Sequence, residues 1–425
     1  MKRKLYPIAM SAMLFLVLSA GESSAQVKMC GMRPCANQPP PTPPAGSCQP
    51  SSSLTVLVQS PNVTAYVPKG SWSGGSTGVS VVNVEGASIT NTLVPTSNVV
   101  NSCASNPLTG KTVCTANNTA VYVLSGTTIA NTLTSGGTGS ISFSGGTCTD
   151  CGVAMDAVHN KAVIGLAIGG AAGFQFLNLA TTPPTFEAPF KSPAGIISED
   201  PLIDPSRNLL LSASEANNYE IVNIANSLAP KFFEKKPINT SGEADSSGED
   251  CTTGIALAPF EFTNQVFLAD LTQATFTPGT PGTWIAPSQV KTLTEAVLSA
   301  GASGIAVAQG THLGIVSGEF GGGAITAIKL PATSGAGTPD ISDWVTCSIP
   351  GGFQNGLDPH TVTAYQSPNG AKDAIALLAN GGATQLAVVD LTKMLNATIV
   401  PRTAGGHGCA SGTLPGTVAT FLAVP

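Results

Sequence analysis

Acidic residues recur at a fixed spacing in the middle of the chain and are its clearest candidates for chemistry. Asp150, Asp200 and Asp250 are 50 residues apart, in CTDCGVAMD, ISEDPLID and GEDCTTGIAL, and GLDPHTVTA carries Asp358. Each acid precedes a short apolar segment, so we expect it where an inner β-strand begins. With their acidic and imidazole neighbours, the candidate ligands of one site are Asp150, Glu199, Asp200, Glu249, Asp250, Asp358 and His360.

Carboxylates that face a common axis repel one another, and the repulsion must be relieved. A hard cation such as Ca²⁺ relieves it through oxygen ligands, with the four aspartates as metal ligands, and raised pKa values are the other way. Two further interpretations stay open: the aspartates cap turns through local backbone hydrogen bonds, or they act as general acids and bases. His360, two residues after Asp358, and His407, in the glycine-rich AGGHGCASG, are the candidate catalytic bases or ligands.

All ten cysteines follow residue 25, and an even number of cysteines in an exported chain predicts disulfides. Cys103 and Cys114 flank the turn signal NPLTGK and are expected to bridge the two strands of a hairpin. Cys148 and Cys151, in CTDC, lack the second CxxC that a structural zinc site needs and the helix N-terminus that a redox pair needs. We therefore assign both to structural disulfides, with Cys251 as a candidate partner of Cys151.

Residues 1–25 predict an exported protein. Lys2, Arg3 and Lys4 precede the apolar run LYPIAMSAMLFLVLSA, and SSA stands before Gln26, as in a secretory signal peptide. An uncleaved anchor helix is the alternative. Cleavage would leave 15 basic and 23 acidic residues, a net charge of −8 that argues against nucleic acid as a partner. Later apolar runs are too short to span a membrane, so we expect a secreted, periplasmic or cell-surface monomer.

The elements that would position these residues are mostly short strands. Residues 26–53 contain PPPTPP and favour an extended tether. From residue 54 onward, segments such as VTAYV, AVYVL and LAVVDL are rich in β-branched side chains and are bounded by Gly, Asn, Pro or Ser, which predicts strands. One short helix is predicted near residues 288–300, with Ser288 as its N-cap and Gly301 as its end.

The strands repeat with a period near 50 residues. Repeat units begin near residues 54, 100, 150, 200, 250, 303 and 358. A period of this length predicts an all-β fold, a single β-propeller of seven four-stranded blades over residues 54–425, with six or eight blades as alternatives. The last strand, GTVATFLAV (416–424), is left over and is expected to pair with the first blade and close the ring. A parallel β-helix is the competing fold, but its coils are much shorter than this period.

Two units, NNTAVYVLSGTTIANTLTSG and TQLAVVDLTKMLNATIVP, resemble the YVTN-type repeats of exported bacterial β-propellers. The resemblance covers most of residues 54–424 and implies a ring of blades around a central channel. The family includes surface and periplasmic binding proteins, and lactonases and quinoprotein dehydrogenases are among its structural relatives. Because this fold serves many functions, the fold alone does not identify the function of the chain.

The sequence favours a non-enzymatic binding or scaffold role in the periplasm or at the cell surface, because its Gly-, Ser- and Thr-rich loops hold no assembled catalytic set. The partner would be a protein or a small molecule, and no cofactor is predicted besides the candidate Ca²⁺. The alternative is a cation-dependent lactonase- or esterase-type hydrolase. In that hydrolase the channel cation would be the Lewis acid and His360 the base.

Overall fold

The structure is a computed structural model of the 425-residue chain. It describes residues 29–30, 33–34, 54–71, 74–86, 90–116, 120–134, 152–166, 173–191, 200–214, 218–225, 231–237, 244, 246–261, 263–277, 283–293, 302–318, 323–350, 362–370, 373–380 and 384–425. The chain divides into two compact units, residues 1–41 and residues 42–425. In the first unit, strand β1 (Met29–Cys30) pairs antiparallel with β2 (Arg33–Pro34), inside the segment predicted as a tether.

The second unit begins with one continuous seven-stranded antiparallel sheet in chain order. Its strands are β3 (Thr55–Gln59), β4 (Asn62–Ser71), β5 (Gly74–Glu85), β6 (Asn91–Asn106), β7 (Lys111–Ala116), β8 (Ala120–Ser125) and β9 (Thr128–Thr134). Strand β6 is 16 residues long: its first part pairs with β5, and its second part, from Val100 onward, pairs with β7. One strand therefore serves as the outer strand of one four-stranded group and the inner strand of the next.

Five separate sheets follow along the chain. Each has at least four strands, and in three of them a strand from later in the chain joins the first three or four. The first holds β10 (Val153–Asp156), β11 (Lys161–Leu166), β12 (Gly173–Asn178), β13 (Thr185–Phe186) and β14 (Phe190–Lys191). The second holds β15 (Pro201–Asp204), β16 (Leu209–Ser214), β17 (Asn218–Asn223) and β18 (Lys231–Pro237). The third holds β19 (Gly248–Asp250), β20 (Ile255–Pro259), β21 (Gln265–Asp270) and β24 (Ser288–Thr292), and the hairpin β22 (Thr275–Thr277) and β23 (Thr283–Ile285) is inserted before β24.

The last two sheets exchange strands with the end of the chain. The fourth holds β25 (Ala302–Ala308), β26 (Leu313–Gly318), β27 (Ala324–Lys329), β28 (Asp343–Ser348) and β32 (Gly408–Thr413), and β32 joins β28 in parallel. The fifth holds β29 (Val362–Gln366), β30 (Ala374–Ala379), β31 (Gln385–Asp390) and β33 (Ala419–Ala423). Among the residues that the structure describes, the helical segments are a 3₁₀ turn, Leu271–Gln273, and one α-helical turn, α1 (Leu391–Met394), each N-capped by the aspartate that ends the preceding strand.

The sheets contact one another in chain order through their first strands and close into a ring. β10 contacts β6 and β15, β19 contacts β15 and β25, and β29 contacts β25 and β3. Apolar side chains fill the space between neighbours, as where Leu211 and Tyr219 of the second sheet pack with Phe267 of the third sheet and with Trp284 of the inserted hairpin. Where both faces of a blade are covered, the strands are apolar runs, as in β20 (IALAP) and β30 (AIALLA). The predicted all-β propeller is confirmed.

The ring closes between the first and last sheets through hydrogen bonds and an apolar cluster that includes Leu54 and Leu377. Tyr365 donates its hydroxyl to Glu85 at 2.8 Å, and Lys69 donates to the Pro425 carbonyl oxygen at 2.9 Å. The last strand, β33, was expected to pair with the first blade, and this was wrong. It pairs with β31 and completes its own blade, because residues 391–414 first cross to the neighbouring blade.

Two further predictions are corrected. Beside the seven-stranded sheet, the described residues form five separate blades, so the predicted seven separate blades are not found; β6 runs unbroken between the first two repeat units and fuses them into that one sheet. Residues Ser288–Thr292 form strand β24, not the start of a helix, and pair with β21 from Gln265 to Ala269. A helix there would have left the outer edge of β21 without its ladder of backbone hydrogen bonds. Residues 294–301, the rest of the predicted helix, lie outside the described residues.

Candidate functional site

Only part of the predicted acidic group belongs to the described residues, namely Asp200, Glu249 and Asp250. The predicted site and disulfide residues that lie outside them are Asp150, Glu199, Asp358, His360, Cys148 and Cys151. The convergence of all four repeated aspartates on one axis therefore stays a prediction, as does a Ca²⁺ ion there.

Asp200 and Asp250 occupy different places in their blades despite the spacing of 50 residues. Asp200 precedes β15 and forms a parallel bridge with Ser246. Asp250 is the last residue of β19, so the two acids lie at opposite ends of first strands. The residues equivalent to Asp250 are those that end the neighbouring first strands, Asp204 and Asp156. Insertions of unequal length between strands produce the even spacing in the sequence without an even placement in the fold.

The aspartates that end first strands cap the turn into the second strand. Asp204 Oδ1 accepts hydrogen bonds from the backbone N–H of Ser206 at 2.9 Å and of Arg207 at 3.2 Å. Asp250 Oδ1 accepts from the backbone N–H of Thr252 at 3.1 Å. The residue before the second strand has a positive φ in several of these turns: Gly110, Asn160, Asn208, Gly254 and His312. Gly and Asn tolerate this conformation best, so the capped turn is a repeated structural unit.

His312 is the unusual member of this set, with φ of 59°. Its Nδ1 lies 2.6 Å from Asp250 Oδ2, so the ring joins the fourth blade to the third. The hydrogen bond to Asp250 raises the pKa of His312. Burial alone would raise the pKa of Asp250, but hydrogen bonds from His312 and Thr252 outweigh burial and lower it. This contact between blades accounts for an imidazole at a position that favours Gly or Asn.

A buried ion cluster lies beside this turn, at the junction of the second and third blades. Arg207 Nη1 donates to Asp204 Oδ2 at 2.7 Å and to the Cys251 carbonyl oxygen at 3.0 Å, and it lies 3.7 Å from Glu249 Oε1. The side chains of Asp204 and Glu249 are fully buried, and that of Arg207 is 6% exposed. Burial, followed by repulsion from Asp204, raises the pKa of Glu249 well above its usual value.

The same cluster has the ligand types of a metal site, since atoms of Asp204, Glu249 and Cys251 lie within 4.8 Å of one another. Cys251, however, is disulfide-bonded and offers no thiolate. The Arg207 guanidinium already supplies the positive charge that the carboxylates need. The raised pKa of Glu249 also means that burial disfavours the charged form that a metal ligand needs. The arrangement is that of an internal ion network that joins two blades.

His407 lies beside the outer strand β28 of the fourth blade. Its ring stacks on Trp344 with centroids 3.6 Å apart, and its Nδ1 lies 3.0 Å from the Trp344 carbonyl oxygen. Arg402 forms a paired contact with the Asp343 carboxylate at 2.6 and 2.9 Å in the same region. These contacts hold the segment that leads into β32 against the blade, and they give His407 a packing role.

Two disulfides are described in full. The bridge between Cys103 and Cys114 was predicted from the hairpin and is confirmed, as the two residues are register partners in β6 and β7. The bridge between Cys347 and Cys409 was not predicted. It ties β28 to β32, a strand that arrives from 62 residues further along the chain, so no local turn signal marked it.

An open groove lies where the seven-stranded sheet bends at β6, with a volume of 560 Å³. Residues of β3 to β6 line one side, and the turns at 109–110 and 125–127 line the other. The groove is rich in hydroxyl side chains, which come from Thr64, Thr90, Thr92, Thr109, Ser125 and Thr127. Gln59, Asn62 and Asn83 add side-chain amides, and none of the lining residues carries a charge.

The floor of the groove joins the apolar core between the two halves of the sheet. Leu57, Tyr66 and Val81 line the groove and belong to that core cluster, and all three are buried. Along β4, polar Asn62 and Thr64 precede Tyr66 at alternate positions. Alternate residues of a strand share a face, so this pattern was a readable signal that one face of β4 is polar near its start. Sequence reasoning missed it because uncharged Asn and Thr side chains on a strand do not by themselves indicate a ligand site.

Comparisons with known proteins show the fold alone. No known family model and no curated protein sequence matches the chain. A protein from Lactobacillus plantarum is similar in structure, with a TM-score of 0.52, 12% identity, and coverage of 88% of this chain and 97% of that one. A 6-phosphogluconolactonase candidate from Bacteroides uniformis has a TM-score of 0.51 and 14% identity over 85% of this chain and all 100% of its own. The β-propeller domain of Cps50 (Swd1) from Myceliophteria thermophila gives a TM-score of 0.49 and 8% identity over 78% of this chain and 93% of its own.

Proposed function

We propose that this chain is an exported, non-enzymatic binding protein whose ligand site is the groove at the bend of the seven-stranded sheet. The observation that carries the proposal is the contrast between two parts of the ring. The described buried acids are engaged in turn caps and ion pairs between blades, as at Asp250 and Asp204. The groove, in contrast, presents uncharged polar groups to solvent.

The size and setting of the groove support a ligand site. Its volume of 560 Å³ falls within the range of roughly 300 to 1,000 Å³ that is usual for small-molecule pockets. Its walls are strands held in a closed ring and a hairpin braced by the Cys103–Cys114 disulfide, so the groove is formed before a ligand arrives. A preformed site binds without first ordering its own side chains and loops.

Export is proposed from the sequence of residues 1–25 and is consistent with the disulfides, which persist in oxidising compartments. The described residues include no helix long and apolar enough to cross a membrane. Membership of the YVTN-type repeat family is likewise a proposal that rests on the repeat units of the sequence.

The groove proposal is tested by a variant that obstructs the groove and leaves the fold unchanged. Gly126 lines the groove with φ of 58°, and a Cβ there would meet no atom within 4 Å. Asn tolerates this conformation, so Gly126→Asn adds a side chain at the groove wall. Gly405→Asn is the matched control, since Gly405 has φ of 73°, equally open surroundings and a position outside the groove.

Ligand binding is to be measured by hydrogen–deuterium exchange on the mature oxidised protein, with a panel of neutral and charged small molecules. We expect a ligand to slow exchange in residues 57–66, 81–92 and 109–127 of the wild type and of Gly405→Asn, and not of Gly126→Asn. Lactone turnover that disappears on chelation would instead establish the hydrolase alternative. A ligand that protects only segments outside the groove would contradict the proposed site.

A further inference from the structure

The groove also restricts the chemical class of its ligand, an inference that rests on the proposed function. Hydroxyl groups both donate and accept hydrogen bonds, and side-chain amides offer two donors and one acceptor oxygen. Five threonines, one serine and three amides line this groove. Such a surface is complementary to a ligand whose own groups both donate and accept hydrogen bonds. A hydroxyl-rich molecule offers such groups along its whole length.

The absence of charge among the lining residues argues against ionic ligands. Phosphates and carboxylates are normally held by Arg, Lys or clustered backbone N–H groups, and none of the residues that line the groove is basic. Cationic ligands are normally held by carboxylates or exposed aromatic faces. The lining contains no acid, and the ring of Tyr66, at 1% exposure, is not available for stacking.

The strands of the groove also argue against an extended peptide. A peptide usually adds to a free strand edge through its backbone. Strand β4 is paired on both sides, with β3 and β5, and β5 is paired with β4 and β6. Strands β4 and β5 therefore offer the groove side chains and no open ladder of backbone groups, and β3, the edge strand of the sheet, lines it through Leu57 and Gln59.

The geometry of the strands sets these side chains in a patch. Thr64 and Asn83 are register partners on neighbouring strands β4 and β5, and Val81 is the register partner of Thr92 on β5 and β6. Directly opposed side chains of an antiparallel pair have Cβ atoms about 5 Å apart. Polar groups at that spacing, beside the apolar Val81 and Leu57, provide hydrogen bonds and contact surface for C–H groups together.

We infer that the groove binds an uncharged, hydroxyl-rich ligand, namely a short neutral oligosaccharide. Thr64, Asn83 and Thr92 hydrogen-bond its hydroxyl groups, and Leu57 and Val81 contact its C–H faces. The polar, open character of the groove means that water competes for each of these hydrogen bonds. Binding is therefore weak for each sugar unit, and affinity rises with the number of units that the groove covers.

The test uses the mature oxidised protein with three neutral trisaccharides, maltotriose, chitotriose and galactotriose, and with trigalacturonate as the charged analogue. Binding is measured by isothermal titration and by exchange protection of residues 57–66 and 81–92. We expect at least one neutral trisaccharide to bind and to protect these residues, and trigalacturonate to bind at least tenfold more weakly.

Two variants test the role of the hydroxyl groups. Thr64→Val and Thr92→Val each remove one hydroxyl with little change of shape, and each should weaken binding about two- to tenfold, the worth of one hydrogen bond. Thr132→Val, on the exposed edge strand β9 away from the groove, is the control and should bind as the wild type does.

The outcomes distinguish an error in the ligand class from an error in the location of the site. If none of the neutral trisaccharides protects the groove while trigalacturonate or another charged molecule does, the ligand class is wrong and the groove remains the site. If a neutral trisaccharide binds but both threonine variants retain its affinity, the hydroxyl recognition is wrong. Protection by saccharide confined to segments outside the groove would overturn both the inference and the proposed site.

Discussion

Replacing Arg207 by methionine tests whether the buried ion cluster is structural. Arg207→Met keeps much of the side-chain volume but removes the hydrogen bonds to Asp204 at 2.7 Å and to the Cys251 carbonyl oxygen at 3.0 Å. The fully buried Asp204 carboxylate is then left without a counterion. Removing one partner of a buried ion pair costs about 3–5 kcal/mol, so the free energy of unfolding should fall by that amount.

The chain contains a matched control for this variant. Lys393 pairs with Asp390 at 2.9 Å with the same spacing of three residues, but half of its side chain is exposed. Exposed pairs contribute about 0–1 kcal/mol, so Lys393→Met should lower the free energy of unfolding by less than about 1 kcal/mol. Both variants are to be unfolded in urea under oxidising conditions at pH 7 and compared with the wild type.

A triple variant then separates charge from packing. Arg207→Met combined with Asp204→Asn and Glu249→Gln leaves no charge in the cluster, so it should recover much of the stability that Arg207→Met loses. A cost for Arg207→Met that does not exceed the cost for Lys393→Met would refute the structural interpretation. A large loss of wild-type stability on adding a chelator would show that a metal ion, rather than Arg207, neutralises the acids.

Three further predictions concern pH and cross-links. The pKa of Glu249 is raised by burial, so the folded state binds the proton more tightly than the unfolded state does, and stability should fall as the pH rises from about 4.3 toward the folded pKa. The urea midpoint of Glu249→Gln should therefore match that of the wild type near pH 4 and exceed it at pH 7. A lower midpoint for the variant at pH 7 would contradict this. The raised pKa of His312 means that the stability from its charged contact with Asp250 is fully present below about pH 6.5 and is lost as the pH rises through the folded pKa. The difference in free energy of unfolding between the wild type and His312→Asn should therefore shrink between pH 6 and pH 9. A difference that stays constant over this range would contradict the prediction. The Cys347–Cys409 bridge spans 62 residues and the Cys103–Cys114 bridge spans 11, and a bridge that closes a longer loop restricts the unfolded chain more. Removing Cys347–Cys409 should therefore destabilise the fold by about 1.5 kcal/mol more than removing Cys103–Cys114. Equal losses of stability in thermal and urea unfolding would contradict this dependence on loop length.

The repeat frame could be predicted from the sequence because several units repeat the same local chemistry. An Asp or Asn ends a first strand, and a Gly or Asn precedes the second, as at Asp204 with Asn208 and at Asp250 with Gly254. The hairpin disulfide at Cys103 could be predicted for the same reason, since its partner lies across one short turn.

What could not be predicted depends on contacts distant in sequence. The fusion of the first two units depends on β6 continuing unbroken where other units break, and no residue in it signals this. The predicted helix has apolar residues at helical spacing, beginning with Val290 and Leu293. Pairing of Ser288–Thr292 with the edge of β21 nevertheless satisfies the backbone groups of this segment and decides its conformation. The ion cluster joins Arg207 to Glu249, 42 positions further along the chain and in the next blade, which spacing alone does not reveal.

The placement of the acids shows a limit of counting positions. Asp200 and Asp250 have the same spacing as a repeat unit, but one precedes its strand and the other ends it. Equal spacing in the sequence gives equal positions in the fold only if every unit has loops of the same length, and here the loops differ in length. The uncharged groove could not be predicted either, because its lining comes from strands and turns that only the fold brings together.

A crystal structure of the mature protein grown with the best-binding neutral trisaccharide tests the central claim most directly. The account predicts ligand density in the groove, with sugar hydroxyls within about 3 Å of the Thr64, Asn83 and Thr92 side chains. Density at the ring axis beside the repeated aspartates, with the groove filled only by water, would contradict it.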